Sequence, residues 1–212
     1  MSGEDGGGPD GGGPGGGPPR GRRASFTERK ERRAAIDDPA VVLEAAARFL
    51  EPRARSVSEV RRRLTGAGYR TDLVEGAITR MLELGMLDDE AFARAWVESR
   101  DRARPRGERA IRQELGLKGV DRSTIDLVLA ERREAAAGVP SDDGEVAMSP
   151  DQAAAERLLA RNARSLARVA DPRQRRQRAY ALLARNGFDP EVCRTVAAQV
   201  ERADAEPSFE DD

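Results

Sequence analysis

Histidine is missing altogether from this chain of 212 residues, and cysteine occurs once, at Cys193. Without imidazole there is no Ser-His-Asp triad, no Cys-His dyad, no histidine-ligated metal and no pH switch near neutrality. A lone cysteine supports neither an internal disulfide nor a cysteine-rich zinc site. Long apolar runs are missing too: Ala40-Val41-Val42-Leu43 stops at Glu44, far short of the ~20 residues of a membrane span. The first 21 residues carry no apolar core of a secretory signal. A soluble, cytoplasmic protein with no membrane partner is therefore expected. An excess of charge of one sign is also absent, since Lys+Arg total 37 and Asp+Glu total 38, a net charge of -1. That balance gives no overall pull toward nucleic acid, but a sum can hide segregation along the chain.

What is present is unevenly distributed. Residues 1–21 hold 11 of the 21 glycines and 4 of the 12 prolines, a composition that buries nothing and predicts disorder. Residues 20–33 carry seven basic and two acidic side chains, and read as a marginal helix or a basic arm. The expected organisation is a disordered extension with basic arm over 1–37, helical units over 38–87, 88–134 and 149–202, an acidic flexible loop at 135–148, and an acidic tail at 203–212.

Between those limits the apolar periodicity is helical and no stretch alternates like a strand. Ser56-Val57-Ser58-Glu59 and Ser149-Pro150-Asp151-Gln152 fit capping boxes. Asp38-Pro39, Asp171-Pro172 and Asp189-Pro190 read as an N-cap followed by proline at the first helical position. Gly68, Gly85, Gly119 and Gly187 sit where helices should stop.

Three of those glycines mark an internal repeat. Leu64, Leu115 and Leu183 each precede a glycine by four residues, and Tyr69, Val120 and Phe188 follow it. Six and ten residues past the glycine stand Val74 and Ile78, Ile125 and Leu129, Cys193 and Ala197. Four residues before the leucine stand Val60, Ile111 and Ala179. One pattern thus recurs three times: an amphipathic helix, a glycine turn, an apolar residue under it and a second amphipathic helix. A further helix precedes each copy. The predicted fold is all-α, with three tandem three-helix, helix-turn-helix-like repeats forming an elongated, curved array.

Catalytic motifs fare poorly. Neither Lys30 nor Lys118 is followed by Ser or Thr, so no phosphate-cradling glycine loop is present. Asp88-Asp89-Glu90 has the makings of a Mg²⁺ site, but it opens a helix, where carboxylates cap N–H groups and complement the dipole. Cys193 falls on a core position of the repeat and reads as a buried hydrophobe. Phe92 and Trp96 lie four apart on one helix face, which favours packing over base stacking. No catalytic residue, cofactor or metal is expected, and the chain reads as a non-enzyme.

Arginine clusters are the remaining signal. They are Arg53 and Arg55 with Arg61, Arg62 and Arg63; then Arg100, Arg102, Arg104, Arg106 and Arg109; then Arg173, Arg175, Arg176 and Arg178. Each lies at or just before the first helix of a glycine-turn pair. A solvated face paired with nearby Glu explains any single cluster, but recurrence in three units favours an extended basic surface. Net charge is +2 over 39–85, 0 over 86–134, +5 over 151–200 and -5 over 201–212.

The run Arg55-Ser56-x-Ser58-Glu59-Val60-Arg61-x-x-Leu64, then Gly68-Tyr69, then Leu82-x-x-Gly85-x-Leu87-Asp88-Asp89-Glu90-x-Phe92-Ala93-Arg94-Ala95-Trp96, resembles the RecX family of recombinase regulators. Ile111-Arg112-Gln113-Glu114-Leu115 with Lys118-Gly119-Val120 resembles its second repeat, and Tyr180-x-x-Leu183 with Gly187-Phe188 its third. The likeness covers about residues 39–202. Departures are the glycine-rich extension, the acidic loop, and Asn186 where such proteins often carry Arg. The resemblance implies a partner, the RecA recombinase filament, and modulation, usually inhibition, of its activities. It supplies no catalytic residue, and the arginines above are only candidate contacts. Weak non-specific DNA contact and a monomeric state complete the expectation. Two other readings stand beside it: a direct DNA-binding factor, and a general helical scaffold.

Overall fold

The computed structural model describes residues 25–137 and 148–202. Those residues form ten helices: α1 (Phe26–Ala34), α2 (Pro39–Leu50), α3 (Val57–Ala67), α4 (Thr71–Glu83), α5 (Asp89–Ala103), α6 (Glu108–Leu117), α7 (Arg122–Ala137), α8 (Pro150–Ala167), α9 (Pro172–Arg185) and α10 (Pro190–Arg202). No strand occurs among the described residues.

The starts follow from short polar side chains. Asp38 Oδ1 accepts from Ala40 N at 2.8 Å, with Pro39 at the first helical position. Ser56 and Ser149 form capping boxes with Glu59 and Gln152, and Asp88 Oδ1 accepts from the amides of Glu90 and Ala91 at 2.8 and 2.9 Å. Satisfying those first amides stabilises each helix by about 1 kcal/mol. The repeat glycines end α3, α6 and α9 at φ values of 103°, 79° and 82°, a left-handed backbone that a side chain disfavours.

α2–α4, α5–α7 and α8–α10 pack as three units, each around its own core. Leu64, Leu115 and Leu183 are buried in the three cores, as are Val60, Ile111 and Ala179. Val120 and Phe188 are buried under their turns, and Tyr69 is half-buried. Complete burial of one such leucine contributes roughly 1.5–3 kcal/mol.

Successive units meet through one repeated joint. The carbonyl before the second and third repeat glycines accepts from the unit ahead of it. Lys118 O accepts from Ser56 Oγ at 2.6 Å, and Asn186 O from Gly107 N at 3.0 Å. The first amide of the middle helix then donates to a carboxylate opening the next unit: Val57 N to Asp89 Oδ1 at 2.9 Å, Glu108 N to Asp151 Oδ2 at 3.1 Å. The approach is close enough that a Cβ on Gly119 would collide with the Ser58 side chain, and one on Gly187 with Ala110. Glycine is therefore required twice over, for its φ and for the neighbouring unit.

Helix extends into two segments outside the three expected units. Residues 26–34 of the expected 1–37 extension form helix α1, started by a capping box at Ser25. α1 sits on the Gly68 turn as α3 and α6 sit on the next two: Lys30 lies over Gly68, and Arg33 Nη1 donates to Ala67 O at 3.3 Å. Ile36 packs half-buried against the first core. Of the two readings of residues 20–33, marginal helix or basic arm, the helix is the one that forms; it buries no side chain fully and docks by backbone proximity and charge. Likewise α7 continues to Ala137, so residues 135–137 of the expected loop are helical. Residues 1–24, 138–147 and the acidic tail 203–212 lie outside the described residues.

Candidate partner-binding surface

The arginines of the three clusters divide by what they touch. In the first unit, Arg61 grips Glu75 through two bonds at 2.6 and 2.8 Å, which raises the guanidinium pKa and lowers that of the carboxyl. Arg53 pairs with Glu59 at 3.1 Å. Arg62 reaches Ser58 O and Leu117 O, both at 3.4 Å, the second across the joint. Arg55 lies 4.3 Å over the Phe49 ring and Arg63 5.6 Å from its centroid.

In the second cluster the acceptors are largely internal. Arg100 donates to Glu114 at 2.6 Å and covers the Trp96 ring at 4.2 Å. Arg106 donates to Asn186 Oδ1 at 2.6 Å, and Arg109 pairs with Asp189 at 3.4 Å. These two arginines tie the second unit to the third. Arg102 pairs with Glu98 on its own helix at 3.1 Å, and Arg104 is exposed at the end of α5.

In the third cluster Arg175 Nε donates to Val169 O at 3.0 Å, satisfying a carbonyl beyond the end of α8. Arg173, Arg176 and Arg178 are exposed on α9. Arg173 and Arg176 line a shallow concavity with Gln177 and Tyr180. The side chains thus gather into a joint-forming set (Arg62, Arg106, Arg109), a set paired within units (Arg53, Arg61, Arg100, Arg102), and an outward set centred on α9.

Sequence reasoning passed over the polar groups that hold the array. Arg132 of α7 has a side chain only 6% exposed and bridges Asp101 at 2.8 Å and Asp151 at 2.6 Å, joining α5, α7 and α8. Lys118 Nζ reaches Glu59 at 2.7 Å across the first joint. Burial alone would raise the Glu59 pKa, but bonds from Arg53, Lys118 and the Ser56 amide outweigh it and hold the carboxyl down at about 2. Asp89 at the same joint goes the other way: burial raises its pKa despite the Val57 amide. The i-to-joint spacing of these residues was visible only once the glycines were known to face a neighbouring unit.

The alternative chemistries find other occupations. Asp88 caps α5, Asp89 belongs to the joint, and Glu90 pairs with Arg94. No group of three or more His, Cys, Asp or Glu side chains converges as metal ligands among the described residues. Cys193 is buried, its thiol directed at Phe188 O at 3.6 Å, and burial pushes its pKa up. Trp96 Nε1 donates to Glu114 Oε2 at 2.8 Å, and its ring lies 5.9 Å from that of Phe92. No described helix is long and apolar enough to cross a membrane.

Fold and surface together define a tandem helical-repeat protein, with polar joints between units and arginine on its outer faces. Family models name the units: residues 43–81 match the first three-helix domain of RecX, 88–129 the second and 150–196 the third. The chain is 32% identical over 154 residues to Regulatory protein RecX of Mycobacterium avium, covering 72% of this chain and 81% of that one. It is 42% identical over 89 residues to Regulatory protein RecX of Mycolicibacterium smegmatis, an alignment that spans 42% of this chain and about half, 47%, of that relative. The crystal structure of RecX from Lactobacillus salivarius shares the fold, with a TM-score of 0.62 at 18% identity over 78% of this chain and 98% of that one. This protein belongs to the RecX family of regulatory proteins.

Proposed function

We propose that this protein binds the RecA–DNA filament and restrains recombinase, ATPase and coprotease activity in DNA repair and the SOS response, in the cytoplasm, as a monomer and without catalysis of its own. Family membership across all three units is the observation that carries the reading. The outward arginines Arg173, Arg176 and Arg178 on α9 supply charge suited to an acidic protein surface or to nucleic-acid phosphate. The remaining arginines of the expected set, Arg53, Arg55, Arg61, Arg62, Arg63, Arg100, Arg102, Arg104, Arg106, Arg109 and Arg175, are further candidates for the same contact. An array of three joined units offers length, and a ligand that binds only the assembled filament shifts its state by mass action.

Groove reading of DNA by the last helix of each unit is the less favoured alternative. Glu75 and Asp126, seven residues past their glycines, answer Arg61 and Arg112 of the preceding helix, so α4 and α7 carry acidic side chains where base-edge donors would be needed. The test is ATP turnover by RecA on single-stranded DNA. Substoichiometric protein is expected to slow it; unchanged turnover at one copy per RecA protomer refutes the proposal.

A further inference from the structure

At the amino-terminal end of the array, Arg33 of α1, Arg48 and Phe49 of α2, Arg63 of α3 and Tyr69 line a cleft of about 280 Å³. Three arginines thus line one small space. Arg33 is held by Ala67 O and lies 5.7 Å from the Tyr69 ring centroid. Arg63 lies 5.6 Å from the Phe49 centroid, with Arg55 4.3 Å over the same ring. Aromatic contacts of this kind fix the planes of the guanidinium groups and leave N–H edges for a ligand. Arg48 meets Glu44 on its own helix at 2.5 Å, with both side chains more than 60% exposed; such a pair is weak and exchangeable.

Gathering three cations around one cleft is unfavourable until an anion enters it. A carboxylate brings one negative charge. A phosphate brings more charge and further acceptor oxygens, and it matches the arginine fork. The space also exceeds that of a bare phosphate group, leaving room for what the phosphate is attached to. Arg33 belongs to α1, which precedes the family-matched segment starting at residue 43. The cleft therefore gains its third arginine from α1, docked on the Gly68 turn.

We infer that this cleft, closed by α1, is a binding site for the phosphate of a nucleotide unit. The site stands independently of the RecA reading. Its ligand has two possible sources, the backbone of single-stranded nucleic acid and a free nucleotide. The experiment titrates the isotopically labelled full chain with a short oligothymidylate and, separately, with thymidine monophosphate, following backbone amide NMR shifts without RecA. Shifts concentrated at Arg33, Phe49, Arg63 and Tyr69 are expected. Shifts with the oligonucleotide alone assign the nucleic-acid source, and equal shifts with the monophosphate assign the free nucleotide.

Arg33→Gln with Arg63→Gln is expected to weaken binding about tenfold or more. Should the double variant melt early, Arg63→Gln alone carries the test, because that exposed side chain is placed by its contact with the Phe49 ring. No shift in these amides with either ligand, or unchanged affinity in a well-folded variant, overturns the inference.

Discussion

Replacing Glu59 with glutamine probes the first joint through one titrating group. The side chain is 12% exposed, so solvent does little to screen it. Arg53, Lys118 and the Ser56 amide hold the folded carboxyl at about 2, against 4.5 for an ordinary glutamate. The folded pKa is depressed, so the stabilisation is fully present above about 4.5 and is lost as pH falls toward 2. Its size is about 3 kcal/mol at neutral pH, at 1.36 kcal/mol per pH unit. Glu59→Gln keeps an acceptor oxygen but removes the charge that Arg53 and Lys118 answer. Urea unfolding at pH 7, 5, 3 and 2 reads both consequences. The variant is expected to be less stable at pH 7 by up to that amount, and its stability should fall less steeply between pH 5 and 2. Equal stability at pH 7 with parallel acid dependence would refute the electrostatic account of this joint.

Other perturbations bear on the same architecture. Gly187→Ala forces a left-handed alanine against Ala110, and is expected to destabilise by about 1–3 kcal/mol in thermal unfolding; a loss confined to a few tenths would contradict the close approach. Asp89→Asn keeps the acceptor for Val57 N and removes a carboxylate that burial disfavours, so it should be neutral or stabilising at pH 7, whereas Asp89→Ala should cost about 1–3 kcal/mol. The pH dependence of Asp89 runs opposite to that of Glu59, its raised pKa favouring the folded state as pH falls through it. Deleting residues 1–37 removes α1 and Ile36 and should lower the melting temperature while leaving three folded units, checked by circular dichroism; an unaltered melting temperature would mean that α1 does not dock.

Much of the fold was legible because its signals are local. Ser56-x-x-Glu59, Asp171-Pro172 and the leucine-to-glycine spacing each determine a helix end with a few neighbouring residues. The apolar positions repeat at those same offsets, so Leu64, Leu115 and Leu183 were identifiable as core. α1 was legible only as a marginal helix or a basic arm, since FTERKERRA buries none of its residues fully and its docking depends on Gly68, over thirty residues away. The binding surface was legible only in composition. Arginine count alone does not separate Arg106, held by Asn186, from Arg178, exposed on α9; that distinction needs the partner carboxylates and carbonyls, which come from other units. Asn186 illustrates the coupling: its carbonyl, side-chain oxygen and side-chain amide serve Gly107, Arg106 and Leu182 respectively, a role invisible in its own neighbourhood.

Binding of the full chain to RecA assembled on single-stranded DNA, compared with the Arg173→Glu, Arg176→Glu, Arg178→Glu variant, tests the central claim most directly. Arg175 is left in place because its bond to Val169 O holds the end of α8. Co-sedimentation should show the unaltered chain pelleting with the filament and the variant largely in the supernatant, at matched melting temperatures. Equal pelleting of both would contradict the basic-surface assignment, and no pelleting of the unaltered chain would contradict the proposed function itself.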